Sequence, residues 1–216
     1  MIEPCPLCGA GEARPFAEAH GRRYWECGRC RLVFLDPAQR LDAAAERAHY
    51  GTHENDPDDP GYRAFLDRLA APLAARLAPG AEGLDYGSGP GPALARMLEE
   101  RGFGMSLYDP FFAPDASVLE RAYDFVTCTE TAEHFFAPGD EFRRFDALLR
   151  PGGWLGVMTE MRTDERDFAR WRYARDPTHV SFYRAETMEW IARAHGWALE
   201  RPHRDVALFH KPASEP

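Results

Sequence analysis

Cys5-Pro6-Leu7-Cys8 and Cys27-Gly28-Arg29-Cys30 are two C-x2-C pairs separated by eighteen residues. Two thiolates three residues apart can grip one metal from a tight turn, and two such turns complete a tetrahedron. Four cysteine ligands leave no open coordination position, so the quartet Cys5, Cys8, Cys27 and Cys30 reads as a structural Zn2+ site. The bland alternative is four buried or redox-active thiols. Cys128, the fifth cysteine, lies in an apolar run and reads as core packing.

The second chemical feature is Leu84-Asp85-Tyr86-Gly87-Ser88-Gly89-Pro90-Gly91-Pro92. A strand runs into a glycine turn that opens a helix, and glycines let backbone approach a ligand without Cβ collisions. Pro92 suits a first helical turn, where no amide donor is needed. Asp109 ends the next strand, where a carboxylate can accept two ribose hydroxyls. A dinucleotide fingerprint needs glycine at position 92, which is proline here, so a nicotinamide-dependent reductase is disfavoured. Taken alone, the turn is equally compatible with an ordinary strand–helix junction.

Alternating elements must position these groups. A helix is expected over 62–78, where Phe65, Leu66, Leu69, Leu73 and Leu77 recur at helical spacing before Pro79-Gly80. Strands are expected over 83–86, 105–108, 123–128 and 154–159, with helices over 92–101, 140–149 and 186–195. Late strands are expected near 197–199 and 206–210. Repeated strand–helix units imply an α/β fold: a mostly parallel sheet with helices on both faces. The expected organisation is a zinc ribbon at 1–35, a linker or lid at 36–61, and an α/β domain at 62–216.

Bulk properties narrow the classes. The chain has 216 residues and a formal net charge of -9, which argues against broad electrostatic capture of nucleic acid. Residues 1–40 carry six arginines against five acids, so the head alone is near neutral. Arg22, Arg23, Arg29 and Arg31 flank Tyr24 and Trp25; they could touch RNA or an acidic partner, or form a solvated surface. No apolar run has membrane-spanning length, and no signal peptide is recognisable, so a cytoplasmic location is expected.

The run 84–91 resembles motif I of class I S-adenosylmethionine-dependent methyltransferases. Tyr123-Asp124-Phe125-Val126 with Glu130-Thr131-Ala132-Glu133-His134-Phe135 is similar to that family's fourth strand and following segment. Leu148-Leu149-Arg150-Pro151-Gly152-Gly153 resembles its turn before the fifth strand, and Asp176-Pro177-Thr178-His179-Val180-Ser181-Phe182-Tyr183 resembles a segment of its ubiquinone-biosynthesis-like branch. The resemblance implies a Rossmann-like methyltransferase fold with S-adenosylmethionine as cofactor. It places Asp85, Gly87, Gly89, Gly91, Asp109 and Glu130 at the cofactor, and residues near Ser117–Leu119 beside the adenine.

Methyl transfer to oxygen or nitrogen also requires loss of a proton, for which histidine is the usual base. His134 and His179, beyond strand ends, are the candidates; each could instead simply fix a loop. The segment 161–175, rich in arginine and aromatics, could grip an acceptor or form an amphipathic helix with Phe168, Trp171 and Tyr173 inward. His49 to Asn55 could belong to a lid. The leading expectation is methyl transfer to a small molecule. The alternatives are an RNA or protein methyltransferase that docks its substrate on the ribbon, and a non-catalytic binding module. The acceptor and the oligomeric state are not legible.

Overall fold

The computed structural model describes residues 4–50, 56–165 and 167–213. In the cysteine-rich head, β1 (Ala13–Ala19) and β2 (Arg22–Cys27) form an antiparallel hairpin. Its turn, His20-Gly21, has positive φ at both residues, which matches the twist of the flanking strands. β3 (Val33–Leu35) extends this sheet. Next come α1 (Ala43–Tyr50) and α2 (Pro60–Ala74). Asp59 starts α2 by accepting the Tyr62 amide at 2.6 Å, with Pro60 in the first position.

The α/β layer follows as β4 (Glu82–Tyr86), α3 (Ala93–Glu99), β5 (Gly104–Tyr108), β6 (Tyr123–Thr129), α4 (Pro138–Leu148) and β7 (Leu149–Met158). It closes with β8 (Ser181–Phe182), α5 (Ala185–His195), β9 (Ala198–His203) and β10 (Val206–His210). Six strands lie in the order β5-β4-β6-β7-β10-β9. β5, β4, β6 and β7 are parallel, whereas β10 runs antiparallel to both its neighbours. This is the mostly parallel, Rossmann-like sheet expected. Side chains alternate faces along each strand. Phe125, Val206 and Leu208 pack with Leu66, Leu69 and Leu73 of α2 and Leu94 and Leu98 of α3. Val126, Ala207 and Phe209 pack with Phe142 and Phe145 of α4 and Met188 and Ile191 of α5. Cys128 is fully buried in that second layer. Among the described residues, no helix is long and apolar enough to cross a membrane.

The head is welded to the α/β layer. β8 is the fourth strand of the head's sheet, with Val33 opposite Phe182 and Phe34 opposite Ser181. Cys5, Leu7, Cys27, Cys30, Leu32 and Phe34 share one core with Phe142, Tyr183 and Ile191. A head too small for a core of its own thus borrows one. At the other end of this contact the Gly139 amide, in the first turn of α4, donates to the Pro6 carbonyl at 3.1 Å.

Residues 161–175 depart from the helical expectation. They form two 3-10 turns, Phe168–Arg170 and Arg172–Arg175, separated by an extended Trp171. Asp167 caps the first by accepting the Ala169 amide. Phe168, Trp171 and Tyr173 are all buried, as the inward option required, but against Tyr24, Val33 and Phe182. The head's sheet presents a broad surface that a single helical stripe of three rings would not cover, and tertiary packing overrides local propensity.

A Cβ at Gly139 would lie 2.5 Å from the Leu7 carbonyl oxygen, whereas one at Gly11 meets nothing within 4 Å. Gly139→Ala should therefore cost about 1–3 kcal/mol, read as a drop of several degrees in Tm, roughly 2–4 °C per kcal/mol for a chain of this size. Gly11→Ala serves as the control in the same thermal scan, and equal Tm values for the two variants would refute the welded contact.

Candidate functional site

β5 and β6 flank β4 on opposite sides, and a parallel sheet opens a crevice where its winding reverses. A cavity of about 700 Å³ lies there. It is lined by Asp85, Gly87, Gly89, Gly91, Asp109, Glu130, His134 and His179, together with residues not foreseen. The structure therefore gathers the non-cysteine candidates around one space.

The turn after β4 is shaped by backbone. Gly87, at φ +80°, donates its amide to the Tyr108 carbonyl at 2.7 Å, and Ser88 donates to the same oxygen at 3.2 Å. A Cβ on Gly87 would sit 2.3 Å from Thr131 Cγ2, so no other residue fits without a shift. Thr131 Oγ1 in turn donates to the Gly87 carbonyl at 3.1 Å. Asp109 braces the turn from β5: one oxygen accepts the Gly89 amide at 3.0 Å, the other the Phe111 and Phe112 amides at 2.9 and 3.0 Å.

Asp85 is buried, and its carboxylate accepts the Thr127 hydroxyl at 2.7 Å. Burial pushes its carboxyl up to about 6; the Thr127 bond opposes this and the Asp109 charge adds to it. Glu130 follows β6 with φ +50°, an unusual conformation for a residue with a side chain, and its amide donates to the Met158 carbonyl. Burial and then the charges of Glu133, Asp205 and Glu160 hold its carboxyl well above the usual range. Tyr62 of α2 is pushed up to about 12 by burial and by Asp85 and Glu130.

At the other end of the cavity, Glu133 and His134 lie on a 3-10 turn, Ala132–His134. His179 precedes β8. The Val180 amide donates to the Glu133 carbonyl at 2.9 Å, and the Ser181 hydroxyl donates to the Phe135 carbonyl at 2.9 Å. His134 Nδ1 lies 3.1 Å from the Thr178 carbonyl, and His179 Nδ1 lies 2.7 Å from that of Tyr173. A carbonyl only accepts, so each Nδ1 carries a proton and donates it there. The rings meet edge to face, 4.7 Å between centroids. Burial pushes the His179 imidazole below its ordinary pKa, with Glu133 opposing.

Ser117–Leu119 falls in a 3-10 turn that does not line the cavity; Pro110, Phe111 and Phe112 do. Phe112 is 41% exposed, the one large apolar side chain so exposed among the described residues. The signal for this was the aromatic pair Phe111-Phe112 two residues after Asp109, which follows β5. Tyr62 and Phe65 of α2, Tyr108, Glu141 and Arg144 also line the space and carried no recognisable motif. Glu46 of α1 reaches it too, and His49 lies 3.2 Å from Asp176. The rest of the expected lid, Gly51 to Asn55, lies outside the described residues.

The cysteine sulfurs lie within 4.8 Å of one another, with Cys5–Cys30 and Cys8–Cys27 both at 3.5 Å. Tetrahedral zinc with bonds near 2.3 Å needs sulfurs about 3.8 Å apart, so the donor set fits. Burial, aided by neighbouring sulfurs, pushes the Cys8 thiol up to about 12, so four thiolates need a cation to coexist there.

The head's arginines are engaged internally. Arg22 donates to the carbonyls of Ala174, Arg175 and Asp176, Arg23 pairs with Asp36, Arg31 pairs with Glu26, and Arg29 lies over the Trp190 ring. Buried Glu26 also faces Arg162 and Arg184, each at 3.6 Å, across the junction of head and sheet.

Comparison with known proteins follows this geometry. A family described as a methyltransferase domain matches residues 58–201. A search of curated proteins finds no match. Among solved structures, the chain resembles a 1,6-didemethyltoxoflavin-N1-methyltransferase from Burkholderia thailandensis, solved with 1,6-didemethyltoxoflavin and S-adenosylhomocysteine. The TM-score is 0.57 at 20% identity, covering 93% of this chain and all of that one. The PH0226 protein of Pyrococcus horikoshii gives 0.52 at 16% identity over 76% of this chain and 98% of that one. An O-methyltransferase family protein of Burkholderia thailandensis gives 0.50 at 16% identity over 79% and 64%. At these identities the structural likeness speaks for the fold, and the family match over residues 58–201 decides membership: the chain belongs to the methyltransferase-domain family.

Proposed function

We propose that the protein transfers a methyl group from S-adenosylmethionine to a small-molecule acceptor, with a structural Zn2+ in the cysteine quartet. The observation that carries this reading is a single cavity with the glycine turn and Asp109 at one end and two imidazoles at the other. When bound, S-adenosylmethionine supplies the methyl group on a sulfonium, whose carbon–sulfur bond breaks as the bond to the acceptor forms. The glycine turn lets backbone meet the cofactor without Cβ atoms, and Asp109 offers carboxylate oxygens to the ribose. Asp85 and Glu130 add negative charge near the cationic end. Alignment of the two reactants is the chain's main contribution to rate. At the acceptor end, His134 and His179 line the cavity as the candidate bases for an acceptor proton.

A small acceptor is favoured over RNA or protein because Arg22, Arg23, Arg29 and Arg31 already have partners within the chain. The Burkholderia thailandensis relative, solved with a small heterocycle, supports the same choice. Residues 176–183, which resemble the ubiquinone-biosynthesis-like branch, line or border the acceptor end. We assign residues 1–35 to the ribbon, 36–61 to a linker or lid segment, and 62–216 to the transferase domain. Zinc in the ribbon acts at a distance: it fixes β2 and β3, and these hold the loop bearing His179 through β8 and Arg22.

Calorimetric titration with S-adenosylhomocysteine should give saturable one-to-one binding, and Asp109→Ala should weaken it at least about tenfold, the scale of a lost charge-assisted hydrogen bond. Absence of binding by folded, zinc-loaded protein would sink the transferase reading and leave a binding module. A separate measurement addresses the ribbon. Purified protein should carry one zinc per chain, lost in Cys8→Ser, and that variant should show the near-ultraviolet signature of the Tyr24–Phe168–Trp171 cluster collapsing. Full retention of that signature without zinc would show that the metal does not support the acceptor side.

A further inference from the structure

Cys5 and Cys8 line a second cleft, of about 470 Å³, which shares no lining residue with the glycine-turn cavity. Its other walls are the start of α4, at Gly139 and Arg143, and the end of α5, at Trp190 and Ala194. We propose that the cysteine quartet is a reversible oxidation site. A peroxide that enters this cleft converts the four thiolates into two disulfides, Cys8–Cys27 and Cys5–Cys30, and the site then gives up its Zn2+. The metal release rests on the zinc reading given above; the thiol chemistry does not.

Three observations carry the proposal. The first is how the sulfurs pair. Cys5 faces Cys30 and Cys8 faces Cys27, each at 3.5 Å, so both pairs join one knuckle to the other. A disulfide holds its sulfurs about 2.05 Å apart, so each pair has roughly 1.5 Å to close. Bonds made in this way keep the knuckles together after the metal leaves. The backbone around them does not depend on sulfur. The Cys5 amide donates to the Ala10 carbonyl and the Cys27 amide to that of Leu32, both at 2.9 Å, and Gly28 donates to Glu12 at 3.3 Å. The oxidised head therefore keeps a frame that reduction and metal can restore.

The second observation is access. Cys27 and Cys30 are fully buried and Cys5 nearly so, whereas Cys8 is only half-buried and borders the cleft. Metal ligation keeps all four as thiolates, the form that reacts, and oxidation of thiolates follows exposure. Cys8 is thus the sulfur an oxidant meets first, and Cys27 is the one placed to resolve it. Cys128 is fully buried and lines neither space, which makes it an internal control. The third is the route outward. The first knuckle is seated on α4 through the Gly139 amide and the Pro6 carbonyl, and Glu141, two residues further along α4, lines the glycine-turn cavity with Arg144. Movement of that knuckle shifts a wall of the cavity.

The chemistry balances with hydrogen peroxide as the oxidant. The Cys8 thiolate attacks one peroxide oxygen; the oxygen–oxygen bond breaks, hydroxide leaves, and Cys8 becomes a sulfenic acid. The Cys27 thiolate then attacks the Cys8 sulfur; the sulfur–oxygen bond breaks and a second hydroxide leaves as the disulfide forms. The two sulfurs together lose two electrons and the peroxide gains them. A second peroxide does the same for Cys5 and Cys30, and four protons from solvent turn the four hydroxides into water. Zn2+ keeps its oxidation state throughout. Disulfide sulfurs carry no negative charge, so the oxidised quartet no longer holds the cation.

The test treats the full zinc-loaded chain with hydrogen peroxide. Released Zn2+ is read with a chromophoric chelator, and disulfides are mapped by mass spectrometry after digestion without reduction. The expected result is loss of the bound zinc, cross-links 8–27 and 5–30, and a Cys128 that stays reduced. Dithiothreitol with added Zn2+ should restore the starting state. Ala194→Trp, which narrows the cleft from an exposed position on α5, should slow release several-fold, and Glu189→Trp, exposed on the same helix but outside the cleft, should not. S-adenosylhomocysteine affinity should fall several-fold on oxidation and recover on reduction. Cross-links within a knuckle, 5–8 or 27–30, or sulfinic and sulfonic acids in place of disulfides, overturn the proposal. So does retention of zinc and thiols under peroxide that oxidises a free peptide of residues 4–9. Equal release rates in the two tryptophan variants would remove the cleft as the route, and unchanged S-adenosylhomocysteine affinity would remove the link to the cavity. Protein that holds no zinc before treatment would remove the zinc reading, and protein that never binds S-adenosylhomocysteine the transferase reading; the cross-link pattern decides the thiol chemistry in either case.

Discussion

Pairing of β3 with β8 is the constraint on which the His179 side of the cavity depends. Only two residue pairs form it, Val33 with Phe182 and Phe34 with Ser181, yet the loop just ahead of β8 carries His179. Arg22 fixes the same loop by donating to three successive carbonyls. Arg162, Arg184 and Glu26 bury charge across the junction, an arrangement that specifies one docking geometry because any other leaves a charge unpaired in a low-dielectric setting. Tyr24 and Phe168 seal the edge, ring against ring at 4.8 Å. The cysteine-rich head is thus packed as one wall against the α/β layer and holds the loop that bears His179.

The cofactor end rests on a different principle. There the sheet itself supplies position: β4 delivers the glycine turn, β5 delivers Asp109, and the Tyr108 carbonyl and Asp109 carboxylate tie the two strand ends together through the amides of residues 87–89. Thr131 closes against Gly87 from β6. Three adjacent parallel strands therefore converge on one turn. Its shape follows from backbone hydrogen bonds at Gly87 and Ser88, braced by the Asp109 carboxylate and the Thr131 hydroxyl, whereas the histidine end is set by contacts between the turn after β6 and the loop before β8.

That contrast explains what could be read from the sequence. The strand–helix alternation, the glycine turn, the cysteine quartet and the burial of Cys128 are local signals, and local spacing carried them. Residues 161–175 failed as a helix because their aromatic rings answer to Tyr24 and Val33, more than a hundred residues earlier. Phe111 and Phe112 were missed beside the cavity because no period marks a two-residue loop. Arg22 looked like a surface residue because its partners, the carbonyls of 174–176, are distant backbone atoms with no sequence signature. Glu133 was visible only as part of a resembling segment. Its relation to His179, 46 positions later by number, exists only once β8 joins the head's sheet.

The parallel strands share one further feature that binds these threads. Asp85 is the penultimate residue of β4, Asp109 directly follows β5, Glu130 directly follows β6, and Glu160 closely follows β7. Each strand thus ends in an acid at the same edge. Crowding and burial hold Asp85 up to about 6 and Glu130 well above the usual range. A carboxyl whose folded pKa is raised stabilises the fold fully only below its unfolded value, near 4, and that contribution is lost as pH rises through the folded value. Near neutral pH, ionising Asp85 and Glu130 at this edge consequently carries an electrostatic cost. A ligand that brings positive charge, whether a sulfonium or an ammonium, relieves it, whereas a neutral ligand of the same shape does not. The burial of Asp85 and Glu130 at this end of the sheet therefore favours a cationic ligand over a neutral one of the same shape.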